Sequence, residues 1–69
     1  MKPIQRLVGL QVEVIHHAGN IRTCMFGRLS FNSNSKWFTV QGNSGSNTRF
    51  GEEAVLKIDS GKFHNVIYI

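Results

Sequence analysis

The segment 21–31 constrains this chain more than any other. Ile21, Thr23, Met25, Leu29 and Phe31 share one parity, the two-residue period of an extended strand with one face turned to a core. Gly27 sits on that same inward parity near the middle. A missing side chain there lets a long strand bend sharply and serve both halves of a small barrel. A chain of 69 residues built round such a strand has room for one domain, residues 1–69. Folding a chain of this size hides only about 60% of the surface its unfolded state exposes, so the core is thin and a large catalytic cleft is not expected.

The remaining segments supply partners for that strand. Leu10, Val12 and Val14 alternate with Gln11 and Glu13 over residues 10–16, and Ala18-Gly19-Asn20 turns the chain into the long strand as a hairpin. Asn32-Ser33-Asn34-Ser35 is a second turn, followed by a strand over 36–41 with Phe38 and Val40 on one face and Trp37, Thr39 and Gln41 on the other. Residues 42–47 form a polar Gly/Asn/Ser loop. A short strand over 48–51, one helical turn at Glu52-Glu53-Ala54, a strand over 55–59 burying Leu56 and Ile58, and a last strand over 63–69 complete the reading. Ahead of them, Pro3 and Gly9 bracket a short N-terminal helix with Ile4, Leu7 and Val8 on one side. Val, Ile and Thr total 15 residues against 6 of Ala and Leu, the balance of pleated surfaces. The expected fold is all-β: a small, strongly bent barrel of five to six strands with a short N-terminal helix.

Composition narrows the function classes. The single cysteine, Cys24, excludes an internal disulfide framework and a multi-cysteine zinc site, which leaves packing or self-association to stabilise the fold. A homo-oligomer is therefore expected. No apolar run approaches the roughly 18 residues of a membrane span, and no signal-peptide core is visible, so the expected location is cytoplasmic, with no membrane partner. Eight Lys and Arg against four Asp and Glu give a formal charge of +4, which favours anionic partners. His16 and His17, adjacent on a strand, point to opposite faces, and their spacing from His64 and Cys24 matches no zinc pattern. Neither Cys24 nor any serine carries a nucleophile signature, and Glu52 and Glu53 are turn neighbours rather than a pair across a cleft. No catalytic residue, metal ligand or cofactor is assigned, and an enzyme is not expected.

The run Val12-Glu13-Val14, the Gly19 turn, Gly27-Arg28-Leu29 and the Asn32-Ser33-Asn34 turn together resemble the first hairpin of the Sm-like branch of the SH3-like barrels. The layout is also similar to the Veg-like and Rof-like bacterial proteins, which finish on a Val/Ile-rich strand as residues 66–69 do here. The resemblance spans about residues 7–69. It implies a binding module for RNA, DNA or protein that often self-associates.

Parity places the candidate surface. With Met25 and Leu29 inward, Arg22, Cys24, Phe26, Arg28 and Ser30 point outward, beside Trp37, Thr39 and Gln41 of the next strand. Aromatic rings stack on bases and cations neutralise phosphates, so Phe26 and Trp37 among Arg22, Arg28, Lys36 and Arg49 make a candidate site for single-stranded RNA. The competing use of the same rings is packing, under the N-terminal helix or between subunits. Two other functions stay open: a bacterial or phage regulator or inhibitor docking on a host protein, and an oligomer sequestering a small nucleotide.

Overall fold

The computed structural model describes residues 3–43 and 45–69. Its elements run in the order 3-10 helix Pro3–Leu7, β1 Gln11–Ala18, β2 Ile21–Asn32, β3 Trp37–Gly42, β4 Asn47–Gly51, 3-10 helix Glu52–Ala54, β5 Lys57–Ser60 and β6 Asn65–Tyr68. The fold is all-β, as the alternation predicts. All six strands join one sheet in the order β4-β3-β2-β1-β6-β5. Neighbours are antiparallel except β1 and β6, which run parallel from Val12↔Asn65 to Ile15↔Tyr68.

The sheet has to curl. Five strand spacings of about 4.8 Å would hold the edges of a flat sheet roughly 24 Å apart. The connection between those edges, from Gly51 to Lys57, contains one 3-10 turn and reaches only about 16 Å. Curling brings the inner residues of every layer together: Val12 and Val14 of β1, Leu29 of β2, Phe38 and Val40 of β3, Phe50 of β4 and Ile67 of β6 form one buried cluster with Ile4, Leu7 and Val55, and Ile58 of β5 packs against it. The resulting body measures 33 × 25 × 25 Å.

Gly27 permits the bend. It faces Gly42 across the β2–β3 ladder, and a Cβ at Gly27 would run into the backbone carbonyl of Gln41. The N-terminal 3-10 turn then plugs one end of the curl with Ile4 and Leu7, and ends at Gly9, whose φ of 92° suits glycine. Among the described residues no helix is long and apolar enough to cross a membrane.

Several expected core positions lie elsewhere. Leu10 precedes β1 and is exposed, as is Val8. Ile21 and Thr23 keep the inward parity but meet no core, because β3 pairs with β2 only as far as Gly27 and β6 pairs with β1 only as far as Ile15. The β1–β2 hairpin continues beyond both. Leu56 is 77% exposed, whereas Val55 is buried. β5 begins only at Lys57, and Val55, the residue that caps the 3-10 turn at Glu52–Ala54, enters the core ahead of it, while Leu56 lies outside. The last strand starts at Asn65 rather than at residue 63: Gly61 N–H donates to the His64 carbonyl at 2.9 Å in a turn that leaves Phe63 outside. Of the loop over residues 42–47, Ser44 lies outside the described residues.

Two substitutions separate these positions. Val55→Ala removes two buried methyl groups and should lower unfolding free energy by about 2 kcal/mol in urea denaturation. Leu56→Ser, at an exposed site, should change it by no more than about 0.5 kcal/mol. The reverse order would restore Leu56 to the core.

Candidate functional site

The outer face divides into two halves of different character. On β1, β5 and β6 it carries Glu13 and Asp59 along with Lys57, Val66 and Tyr68. On β2, β3 and β4 it carries Arg22, Arg28 and Arg49 with uncharged Ser30, Thr39, Gln41 and Asn47. Residues 21–51 contain Arg22, Arg28, Lys36 and Arg49 and no carboxylate at all, so the whole formal charge of +4 belongs to that stretch. The other four cations are balanced by the four acids. Antiparallel pairing turns this linear segregation into a surface.

Trp37 and Arg49 meet on that surface. Trp37 pairs with Gly51 and Arg49 with Thr39, which makes Arg49 the diagonal neighbour of the indole. The guanidinium carbon lies 5.4 Å from the ring centroid, a cation–π contact. Trp37 is 40% exposed. A guanidinium held near a ring in this way can still offer its N–H fork to a phosphate or carboxylate, which it meets in two parallel bonds. Gly51 beside the ring leaves room for the end of the Glu53 side chain, whose carboxylate borders the platform here.

The other candidate residues are placed as follows. Arg28 pairs with Gln11 and Gln41, and its Nη1 donates to the Gly9 carbonyl at 2.9 Å, tying the end of the N-terminal turn to the sheet. Arg22 is exposed near the hairpin tip opposite His17. Phe26, although on β2, is turned toward the other half of the surface: it pairs with Glu13 of β1, and its ring packs edge-on against His64 at 4.8 Å. His64 Nε2 lies 3.2 Å from Glu13 Oε1, closing a small Phe26–His64–Glu13 cluster. Six positions along β2, about 20 Å of unbent strand, separate Phe26 from the partner of Trp37. The two rings therefore do not form one platform. His16 and His17 also separate: His16 Nδ1 lies 3.2 Å from the Ile69 carbonyl oxygen, while His17 faces Arg22.

Lys36 stands apart from the arginines. It lines a recess of about 410 Å³ with Gln5, Phe31, Glu52 and Glu53, where carboxylates share its surroundings. Its backbone has φ of 64°, the left-handed region, at the end of a turn in which Asn32 Oδ1 accepts from the N–H groups of Asn34 and Ser35 and the Asn32 carbonyl accepts from Lys36. A lysine held there costs about 1–2 kcal/mol that glycine avoids.

The Trp37–Arg49 pair escapes sequence reasoning because diagonal contact depends on register, which the turns set. The carboxylate-free stretch over residues 21–51 was readable in the linear chain and is the signal that marks this face. Comparison with known protein families, curated proteins and solved structures finds no match to this chain.

Lys36→Gly should raise unfolding free energy by up to about 1 kcal/mol, because the gain at φ of 64° exceeds the added chain entropy. Arg28→Ala should lower it by about 0.5–1.5 kcal/mol through loss of the bond to Gly9. Urea midpoints check both. Equal midpoints for the two variants would contradict the contacts described.

Proposed function

We propose that this chain binds single-stranded nucleic acid, RNA in preference to DNA, across the outer face of β2, β3 and β4. The observation that carries the reading is the guanidinium of Arg49 lying 5.4 Å from the ring centroid of half-exposed Trp37, on a face with Arg28 and Arg22 and no acidic side chain from β2 to β4. A base laid on the indole and guanidinium planes gains stacking worth about 1–3 kcal/mol whatever its identity. Its phosphate meets the guanidinium of Arg49, and phosphates progressively farther along the strand meet Arg28 and then Arg22 near the hairpin tip. Ser30, Thr39, Gln41 and Asn47 supply uncharged donors and acceptors along the same strands, suited to ribose 2′-hydroxyls. Phe26, paired with Glu13 and His64, serves packing in this reading, and Lys36 is a peripheral contact.

A second reading, docking on a larger protein, draws on Leu56 and Phe63, which flank β5 with 77% and 87% exposure. The two differ in their response to salt. Three arginines on a single strand predict that the logarithm of affinity falls with the logarithm of salt concentration at a slope near −2, from about −0.7 per neutralised phosphate.

The test is a titration of an unstructured RNA oligonucleotide, followed by Trp37 fluorescence and by anisotropy of the labelled RNA, at several salt concentrations. Quenching with the slope above is expected. Trp37→Ala should weaken binding roughly 5- to 100-fold by anisotropy, and Arg22→Ala should reduce the slope by about 0.7. Absence of quenching at low salt, or affinity indifferent to salt, would overturn the proposal and favour a protein partner.

A further inference from the structure

Behind the Trp37–Arg49 platform the curled sheet is open. The β1–β2 hairpin extends past the last pairs that β6 and β3 make with it, Ile15↔Tyr68 and Gly27↔Gly42. Its inner face there has a floor but no strand above it. The result is a half-open recess of about 380 Å³, with Val14, Met25 and Ile69 as its apolar lining and His16, Thr23 and Thr48 as its polar groups. Arg49 belongs to its wall as well as to the platform.

We infer that this recess is a base subsite: it takes one unstacked nucleobase of the strand whose phosphate is held by Arg49. The inference rests on the reading of the outer face as a nucleic-acid surface. Size, lining and charge each support it. The volume is within the range of roughly 300–1,000 Å³ that small-molecule sites occupy, enough for one base and its sugar. A flat heteroaromatic ring suits a recess with aliphatic walls and few polar groups, since its faces are apolar and its edge presents donors and acceptors. The polar groups are fixed in part by the fold. His16 directs Nδ1 to the Ile69 carbonyl oxygen at 3.2 Å, which leaves Nε2 for a ligand. The Thr23 hydroxyl donates to the His16 carbonyl at 3.4 Å, which leaves its lone pairs to accept from a base N–H.

Charge disfavours the opposite class of ligand. No aspartate or glutamate side chain lines the recess among the described residues, and the wall at Arg49 is cationic, which favours an anionic over a cationic ligand. A bare phosphate finds only one cation and a mostly apolar floor. A base joined to a phosphate satisfies both parts at once.

The experiment uses a set of RNA oligonucleotides of one length, each with a single abasic position moved stepwise along the strand, bound to the intact chain and followed by anisotropy. One abasic position should weaken binding by tenfold or more in excess of the smaller, graded losses from stacking. In Thr23→Phe, whose new ring fills the recess from an exposed position, that positional penalty should vanish and affinity for the unmodified strand should fall about tenfold. Quenching of Trp37 should persist. His16→Phe fills the recess from the residue paired with Thr23, so either variant carries the test if the other does not fold. A uniform penalty at every position, or a positional penalty unchanged in the filled variants, would overturn the subsite while leaving quenching and salt dependence intact. Absence of any salt-sensitive binding would overturn the outer-face reading, and the subsite with it.

Discussion

The short path from Gly51 to Lys57 is the constraint on which the rest of the molecule depends. It joins the two edge strands of a six-stranded sheet across a gap that a flat sheet could not close. Curvature follows from chain length before any particular side chain is considered. Gly27 then determines where curvature is concentrated, since only a residue without Cβ tolerates the Gln41 carbonyl at that distance. Once the edges approach, Phe50 of β4 and Ile67 of β6 can share one core with Val55 from the connection itself. The connection is both the tether and part of what it encloses. Buried aliphatic and aromatic side chains of this kind each stabilise by about 1.5–3 kcal/mol, and so few of them leave a small margin for any that are lost.

Closure also explains why the two ends of the curl differ. At one end, Ile4 and Leu7 of the first 3-10 turn fill the space, and Arg28 fastens that turn through the Gly9 carbonyl. At the other end the β1–β2 hairpin outruns its neighbours, and nothing in the described chain fills the space above Val14 and Met25. The recess is a consequence of mismatched strand lengths, twelve residues in β2 against six in β3 and four in β6.

Much of this architecture was legible in the sequence, and the failures have specific causes. Alternation located Val12, Val14, Phe38 and Val40 in the core because those strands are paired on both sides along the relevant stretch. The same alternation failed at Ile21 and Thr23. Parity tells which face a residue is on, but not whether the core extends that far. Leu56 was misplaced by a different mechanism: β5 begins only at Lys57, so the two-residue period that holds for Ile58 does not extend back to Leu56, and Val55 beside the 3-10 turn is buried instead. At the candidate site, outward orientation of Trp37, Arg28 and Arg22 was readable, whereas the grouping was not. Phe26 and Trp37 share a face and yet lie far apart along β2, while Arg49 reaches Trp37 only through the register of β3 on β4.

The separation of charge on the outer face bears on how such a small domain can hold a ligand. With every buried residue of the described core apolar, polar recognition has to be organised at the surface, where long side chains lose entropy on binding and isolated charges are screened. The contact of Arg49 with Trp37 settles part of that loss in advance, because the register of β3 on β4 already brings the guanidinium to the ring. Keeping acids off β2, β3 and β4 has a related effect: no carboxylate on those strands competes for the arginine forks, and Glu53 of the 3-10 turn borders the face only at its Trp37 end. In the other half of the surface, His64 Nε2 lies 3.2 Å from Glu13 Oε1 and Asp59 pairs with Lys57 at 3.6 Å, so the acids there already have partners. The cations of β2, β3 and β4 thus have no acid on their own strands, whereas the acids Glu13 and Asp59 on the other side sit beside His64 and Lys57. This asymmetry, more than the net charge, gives the surface a direction.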